Sequence, residues 1–423
     1  MRILLPYDKK TVPVEIPDQN FVGALVSRVE EYKPGKSQEE LVEASLDSPI
    51  GSPKLEELVK GKKNIVIISS DHTRPVPSKI ITPILLQRIR SSQPDADIKI
   101  LVATGFHRPS TQQELVDKYG QHIVDHEQIV MHVSTDDSAM KKIGTLPSGG
   151  ECIVNRLAAE ADLLIAQGFI EPHLFAGFSG GRKSVLPGIA SYKTIMANHC
   201  AEFINSPNTR PGILDDNPIH EDMLYAAKTA GLKFVLNVVL NGEKEVIASF
   251  AGDLEKAHAE GCKFLTALAS VDKLACDITV VSNGGYPLDQ NIYQAVKGLT
   301  SAEATNKDGG VIIMVAGLSD GTGGEGFYKN LAEVKTPGEL LDRLSHVGRN
   351  QTVADQWESH VLARILNRHH VIMVSDLIKP ELVRGMHMEH ASSFDEALQH
   401  AYALQGPNAK IAVIPQGLSV IVQ

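Results

Sequence analysis

Within residues 168–200 the chain carries three nitrogen groups of complementary chemistry: His173, Lys183 and His199. An imidazole exchanges protons near neutral pH, a deprotonated lysine amine is a nucleophile, and a second imidazole can ligate a metal. Gly177, Gly180 and Gly181 lie among them, and glycine lets the backbone approach a ligand closely. The apolar run 161–166 before this stretch reads as a strand, and a helix is expected after Pro187. Loops that join strand to helix are where α/β proteins place their chemistry. The same residues also have a plain structural reading, since glycine clusters form turns, lone lysines are mostly solvated and a histidine near a helix end is often a cap.

Two earlier segments repeat the pattern. Residues 64–70 (NIVIISS) are continuously apolar and β-branched and end in Asp71, His72, Thr73 and Arg74, as expected of a strand buried on both faces of a parallel sheet. Backbone N–H groups and the Thr73 hydroxyl of that turn could hold a phosphate, and Arg74 offers a planar fork for a carboxylate. The second strand, 97–103, ends before His107 and Arg108. His107 and His173, at separate strand ends, could face one ligand from opposite sides as acid and base. In the second half Tyr293 and Lys297 are spaced i,i+4, and Gln294 and Lys297 i,i+3, so one helix patch can present all three. The ordinary alternatives are a capped turn, isolated loop histidines and a solvated helix face.

Positioning these groups requires a scaffold. At 423 residues, 43% hydrophobic and 22% charged, two domains with substantial cores are expected. The recurring strand, polar loop and helix predict α/β units with largely parallel sheets and flanking helices. The pattern pauses at residues 270–272, which gives an expected first domain over 1–270 and a second over 271–423. Ser37 with Glu40, and Thr111 with Glu114, have capping-box spacing. Helices are expected to start at Ser52-Pro53 and to cover 191–203 and about 289–297.

A formal charge of −10 with scattered basic residues argues against nucleic acid as a main partner. Cys152, Cys200, Cys262 and Cys276 form no CxxC pair, which fits reduced thiols in the cytoplasm. No apolar run approaches the ~18 residues of a membrane span, and the N-terminus does not read as a signal peptide. The formal GxGxxG at residues 321–326 lies several residues past its strand, a poor position for a dinucleotide site. None of the 16 histidines falls in an HExxH spacing.

In order along the chain, DHTRP, GFHRPST, EPHLFAGFSGGRKSVLPG, ANHC and YQAVKG resemble the nickel-dependent lactate racemase family, and the match runs through both expected domains. The resemblance implies interconversion of D- and L-lactate in a cleft between the domains. It implies a nickel pyridinium-3,5-bisthiocarboxylic acid mononucleotide attached through Lys183, with His199 as the protein ligand to nickel. His107 and His173 become the acid/base pair. Asp71, His72, Thr73 and Arg74 are then expected to hold the cofactor, Arg74 also approaching the substrate, with Tyr293 lining the pocket and Gln294 and Lys297 binding substrate. The implied route is proton-coupled hydride transfer through a pyruvate-like keto acid. It agrees with the chemistry, because deprotonating C2 beside a carboxylate would double its charge. Cofactor-biosynthesis proteins are the implied partners. A racemase or epimerase for another 2-hydroxy acid, or a non-catalytic nucleotide- or metal-binding protein, are the alternatives.

Overall fold

The computed structural model describes residues 1–423. The expected α/β architecture is present, built on two six-stranded sheets. In the first sheet the order is Val246–Gly252, Leu232–Leu240, Leu163–Phe169, Asn64–Ser70, Asp97–Ala103 and Gln128–Met131, parallel except for the antiparallel edge strand Val246–Gly252. The continuous apolar run of Asn64–Ser70 is explained by cover on both faces. Ile65 and Ile67 pack with Ile81, Leu85 and Ile89 of helix Ser78–Ser92, while Val66 and Ile68 belong to a different apolar cluster. From Asn64–Ser70 the chain builds outward through 97–103 and 128–131, then returns to place Leu163–Phe169 on the other side. The direction of winding therefore reverses between Asn64–Ser70 and Leu163–Phe169, and a crevice opens beyond their carboxyl ends.

The second sheet runs Glu389–Ala391, His370–Val374, Asn306–Val315, Cys276–Ser282, Ile411–Ile414 and Phe21–Ala24, all parallel. Its last strand comes from the start of the chain. The antiparallel hairpin Arg2–Tyr7 and Lys10–Glu15 goes with it, burying Leu5, Tyr7, Val14 and Ile16 against Ile278, Val280 and Val311. The expected span 1–270 thus includes a leading segment that sits on the second sheet. Its local pattern specifies strands, but pairing with residues so far along the chain leaves no local signal.

Helix limits differ where caps decide them. Ser52 bonds the Pro53 carbonyl, and the short helix Leu55–Leu58 begins only after Lys54. The expected helix 191–203 is two, Tyr192–Asn198 and Ala201–Asn205, broken at His199 and Cys200, where Cys200 is extended. The first is capped by Ser191, which accepts from the Thr194 N–H. Asn291 caps helix Ile292–Thr305, which runs well past the expected end. One apolar cluster joins the two units, containing Leu164, Ile195 and Phe203 from the first with Val296, Trp357 and Leu362 from the second. No helix is long and apolar enough to cross a membrane.

Candidate active site

Where the two units meet, a cavity of about 230 Å³ is lined by Asp71, Arg74, His107, His173, Lys183, His199, Tyr293, Gln294 and Lys297. Residues from three strand ends of the first sheet and one helix of the second unit converge there. His72 and Thr73 do not line it. His72 turns to Ser110 Oγ at 2.9 Å, and Thr73 donates its hydroxyl to Asp71 Oδ1 at 2.6 Å.

The two cavity histidines are held in opposite ways. Asp71, 1% exposed, accepts from His107 Nδ1 at 2.7 Å. Burial would raise the Asp71 carboxyl, but the His107 bond and charge, Thr73 and Arg74 outweigh it and hold it at about 2. A carboxylate on Nδ1 fixes the proton there, so His107 Nε2 carries the free lone pair. His173 Nδ1 instead accepts from the Phe175 and Ala176 N–H groups at 3.4 and 3.3 Å. Its proton therefore sits on Nε2. Burial, followed by the charges of Lys183, Lys297 and Arg74, pushes the His173 pKa well below the ordinary value.

Lys183 lies in the single turn Gly181–Ser184. Burial, then the cations Arg182, Arg74 and Lys297, lower its pKa far below that of a free lysine, against Glu171. The lowered pKa favours the neutral, nucleophilic form of the amine. Gly180 makes the turn possible: at φ +76° a Cβ would stand 2.9 Å from the Phe169 carbonyl oxygen. Asn237 Oδ1 accepts from the Gly181 N–H at 2.9 Å. Arg182, fully buried, braces the same loop by donating to the carbonyls of Ala176 and Phe178 at 2.6 and 2.8 Å and to His220 Nδ1 at 2.9 Å.

His199 closes its helix with Nδ1 directed to the Ile195 carbonyl at 3.1 Å, which leaves Nε2 bare. Burial and then Lys183 push its pKa down to about 3, so the ring is neutral and able to ligate. No group of three His, Cys, Asp or Glu residues stands ready to hold a metal. A metal at His199 has to bring its other ligands with it. A nucleophilic amine, one bare imidazole nitrogen and the cations Arg74 and Lys297 fit an anionic cofactor that carries its own metal-binding atoms.

From the second unit, Gln294 Oε1 accepts from Lys297 Nζ at 2.5 Å. Burial, then Arg74, lowers the Lys297 pKa, opposed by Glu358 and Glu171. The glycines 321–326 serve this helix. The Gly321 and Thr322 carbonyls accept from the Ile292 and Tyr293 N–H groups at 3.0 and 3.1 Å.

Three cavity residues escape sequence reading. The Phe175 ring lies 4.6 Å from His173, 5.1 Å from His199 and 5.8 Å from Lys183 Nζ. Trp357 packs on His199 and donates to the Tyr293 hydroxyl at 3.2 Å, and Glu358 follows it. Trp357 is the only tryptophan in the chain, a weak signal with no motif around it; Glu358 has none.

The chain matches the family model of the lactate racemase N-terminal domain over residues 7–212 and that of the lactate racemase C-terminal domain over 271–422. It is 65% identical to the lactate racemase of Lactiplantibacillus plantarum over 419 residues, 99% of each chain. Identity to the lactate racemase of Thermoanaerobacterium thermosaccharolyticum is 53% over 421 residues, covering 100% of this chain and 99% of the other. The solved lactate racemase apoprotein from that organism superposes with a TM-score of 0.97 at 52% identity, over 100% of both chains. A Thermotoga maritima protein at 20% identity, covering 93% of this chain and 100% of its own, shares the fold with a TM-score of 0.67.

Proposed function

This chain belongs to the lactate racemase family, and from that premise we propose that it interconverts D- and L-lactate. Full-length identity to curated lactate racemases supports the reading. The observation that carries it here is the pair of oppositely protonated imidazoles, His107 and His173, on one cavity with Lys183 and His199.

In this reading Lys183 and His199 hold the nickel pyridinium-3,5-bisthiocarboxylic acid mononucleotide, Lys183 as covalent tether and His199 as the protein ligand to nickel. Bound there, the cofactor supplies an electrophilic hydride acceptor. Residues 1–270 carry the cofactor-binding and acid/base side chains, and 271–423 add Tyr293, Gln294 and Lys297. His72 and Thr73 act indirectly, by fixing the turn and the Asp71 carboxylate. Cofactor-biosynthesis proteins load the chain in the cytoplasm.

Arg74 and Lys297 clamp the lactate carboxylate. His107 Nε2 takes the hydroxyl proton of one enantiomer, and Asp71 stabilises the imidazolium that forms. His173 turns its Nε2–H toward the substrate oxygen from the other side. For the mirror-image substrate the roles exchange: the His173 proton passes from Nε2 to Nδ1, releasing the Phe175 and Ala176 N–H groups, and Nε2 then accepts the hydroxyl proton and later returns it to the same oxygen. Burial by the second unit excludes water from the keto acid while its other face becomes available.

The test is racemisation by protein from a cofactor-producing host, with D-lactate, L-lactate and a panel of other enantiopure 2-hydroxy acids. Lactate turnover in both directions is expected. Turnover of another hydroxy acid with lactate untouched would move the substrate assignment.

A further inference from the structure

Glu358 lies in helix Gln356–Leu366, 2% exposed, on the cavity wall. Its Oε1 is shut from solvent and has no hydrogen-bond partner. It forms no ion pair within 4 Å, and Lys297 directs its ammonium to Gln294 Oε1. An ionised carboxylate in such a place is strongly disfavoured unless paired, whereas the neutral acid is tolerated and gains an O–H donor. The cavity's own ligand is an anion, and an anion's carboxylate only accepts.

We propose that Glu358 works as a carboxylic acid, donating its O–H to the carboxylate of the bound 2-hydroxy acid beside Lys297. The inference rests on the cavity binding such an acid. An ionised Glu358 would repel the substrate and compete for Lys297, so substrate binding and ionisation of Glu358 exclude each other. Burial pushes this carboxyl well above the ordinary carboxylate range, Lys297 opposing and Asp355 adding to the rise. The charged and titratable groups facing it are Lys297 and Tyr293 on helix Ile292–Thr305, Asp355 before its own helix, and Arg74, Lys183, His173 and His199 around the cavity. Of the acids on the other helices packed on it, Glu325 pairs with Lys329, Glu202 with Arg349, Glu339 accepts from the Lys335 N–H, and Asp342 is exposed to solvent.

Two measurements test this. Difference infrared spectra between wild type and Glu358→Gln, on protein without substrate, should show a carboxylic-acid C=O stretch at neutral pH that bleaches as the pH is raised into the alkaline range. In cofactor-loaded protein, the wild-type KM for lactate should rise with pH over the same range. Glu358→Gln, which keeps a donor and cannot ionise, should hold KM near the wild-type value at neutral pH and lose the alkaline rise. Glu358→Ala should raise KM by about tenfold, the scale of one hydrogen bond to a charged group, with kcat little changed. Lactate turnover with no acid band at neutral pH, or an alkaline rise that persists in Glu358→Gln, overturns this inference alone. A wild-type protein that shows the band but turns over no 2-hydroxy acid overturns the racemase reading and the donor role with it.

Discussion

The indole of Trp357 meets the imidazole of His199 edge to face, with ring centroids 5.0 Å apart and planes inclined by 66°. The second unit thereby packs directly on the residue expected to ligate nickel. Trp357→Ala removes a buried aromatic that also donates to Tyr293, and stability should fall by about 3–5 kcal/mol. Trp357→Phe should lose much less. Urea midpoints followed by far-ultraviolet circular dichroism would separate the two, and equal midpoints would show that the ring packing contributes nothing.

Asp71 links catalysis to acid stability. Its folded pKa of about 2 lies below the usual carboxylate value, so the stabilisation is present above pH ~4 and lost as pH falls through about 2, roughly 2 kcal/mol in all. Asp71→Asn should flatten stability over that window. It should also lower kcat/KM on the order of 10²-fold, as should removal of either His107 or His173. Mirror-image substrates have an equilibrium constant of one, so kcat/KM has to fall equally in both directions and only kcat and KM separately can differ. Near-normal turnover in any of the three variants removes that residue from the mechanism.

Lys183→Ala should abolish the covalent adduct and the activity together. In unloaded wild type, the Lys183 amine should react with a small acylating reagent at neutral pH faster than the surface lysines, its depressed pKa being the cause. Intact mass and peptide mapping read both, and an adduct surviving on Lys183→Ala would rule out the tether.

Hydride passage predicts the fate of the C2 hydrogen. Lactate deuterated at C2 should racemise in ordinary water with the label largely kept, and more slowly than protiated lactate if transfer limits the rate. A proton held by an imidazole usually exchanges before it returns. Extensive early loss of label, read by mass spectrometry or NMR, would sink the hydride route.

Gly323→Ala tests how the second unit aims its helix. At φ +83°, a Cβ would lie 2.6 Å from Asn291 Cγ and 2.8 Å from Tyr293 Cβ. The substitution should destabilise by about 1–3 kcal/mol and raise KM for lactate through displacement of Tyr293. Unchanged denaturation midpoint and KM would show that the loop yields freely.

The strands that carry Asp71, His107 and His173 were legible because doubly covered parallel strands read as unbroken apolar runs ended by polar turns. The capping boxes at Ser37 and Thr111 were equally plain, and both form. Less could be read where distant contacts decide. The break at His199 lies inside an unbroken helical pattern, and it points the imidazole at Phe175 and Trp357. Glu358 looks like any polar helix residue until burial removes its water. The segment 321–326 imitates a nucleotide loop in sequence, yet its Gly321 and Thr322 carbonyls accept from the start of the helix that bears Lys297.

The strand Phe21–Ala24 has a consequence for how the molecule is made. Its neighbour Asn20 bonds the Ala409 carbonyl across 389 residues of sequence. During synthesis the first sheet, whose strands lie within residues 64–252, has all its partners long before the ribosome reaches the second. The strand Phe21–Ala24 has no neighbour to join until the strand Ile411–Ile414 has been made, whereas the leading hairpin can pack once Ile278, Val280 and Val311 are present. The strand Phe21–Ala24 therefore stays unpaired through nearly the whole of translation, a stage at which unpaired strand edges are prone to associate. One of the earlier strands is thus completed by one of the last to be made.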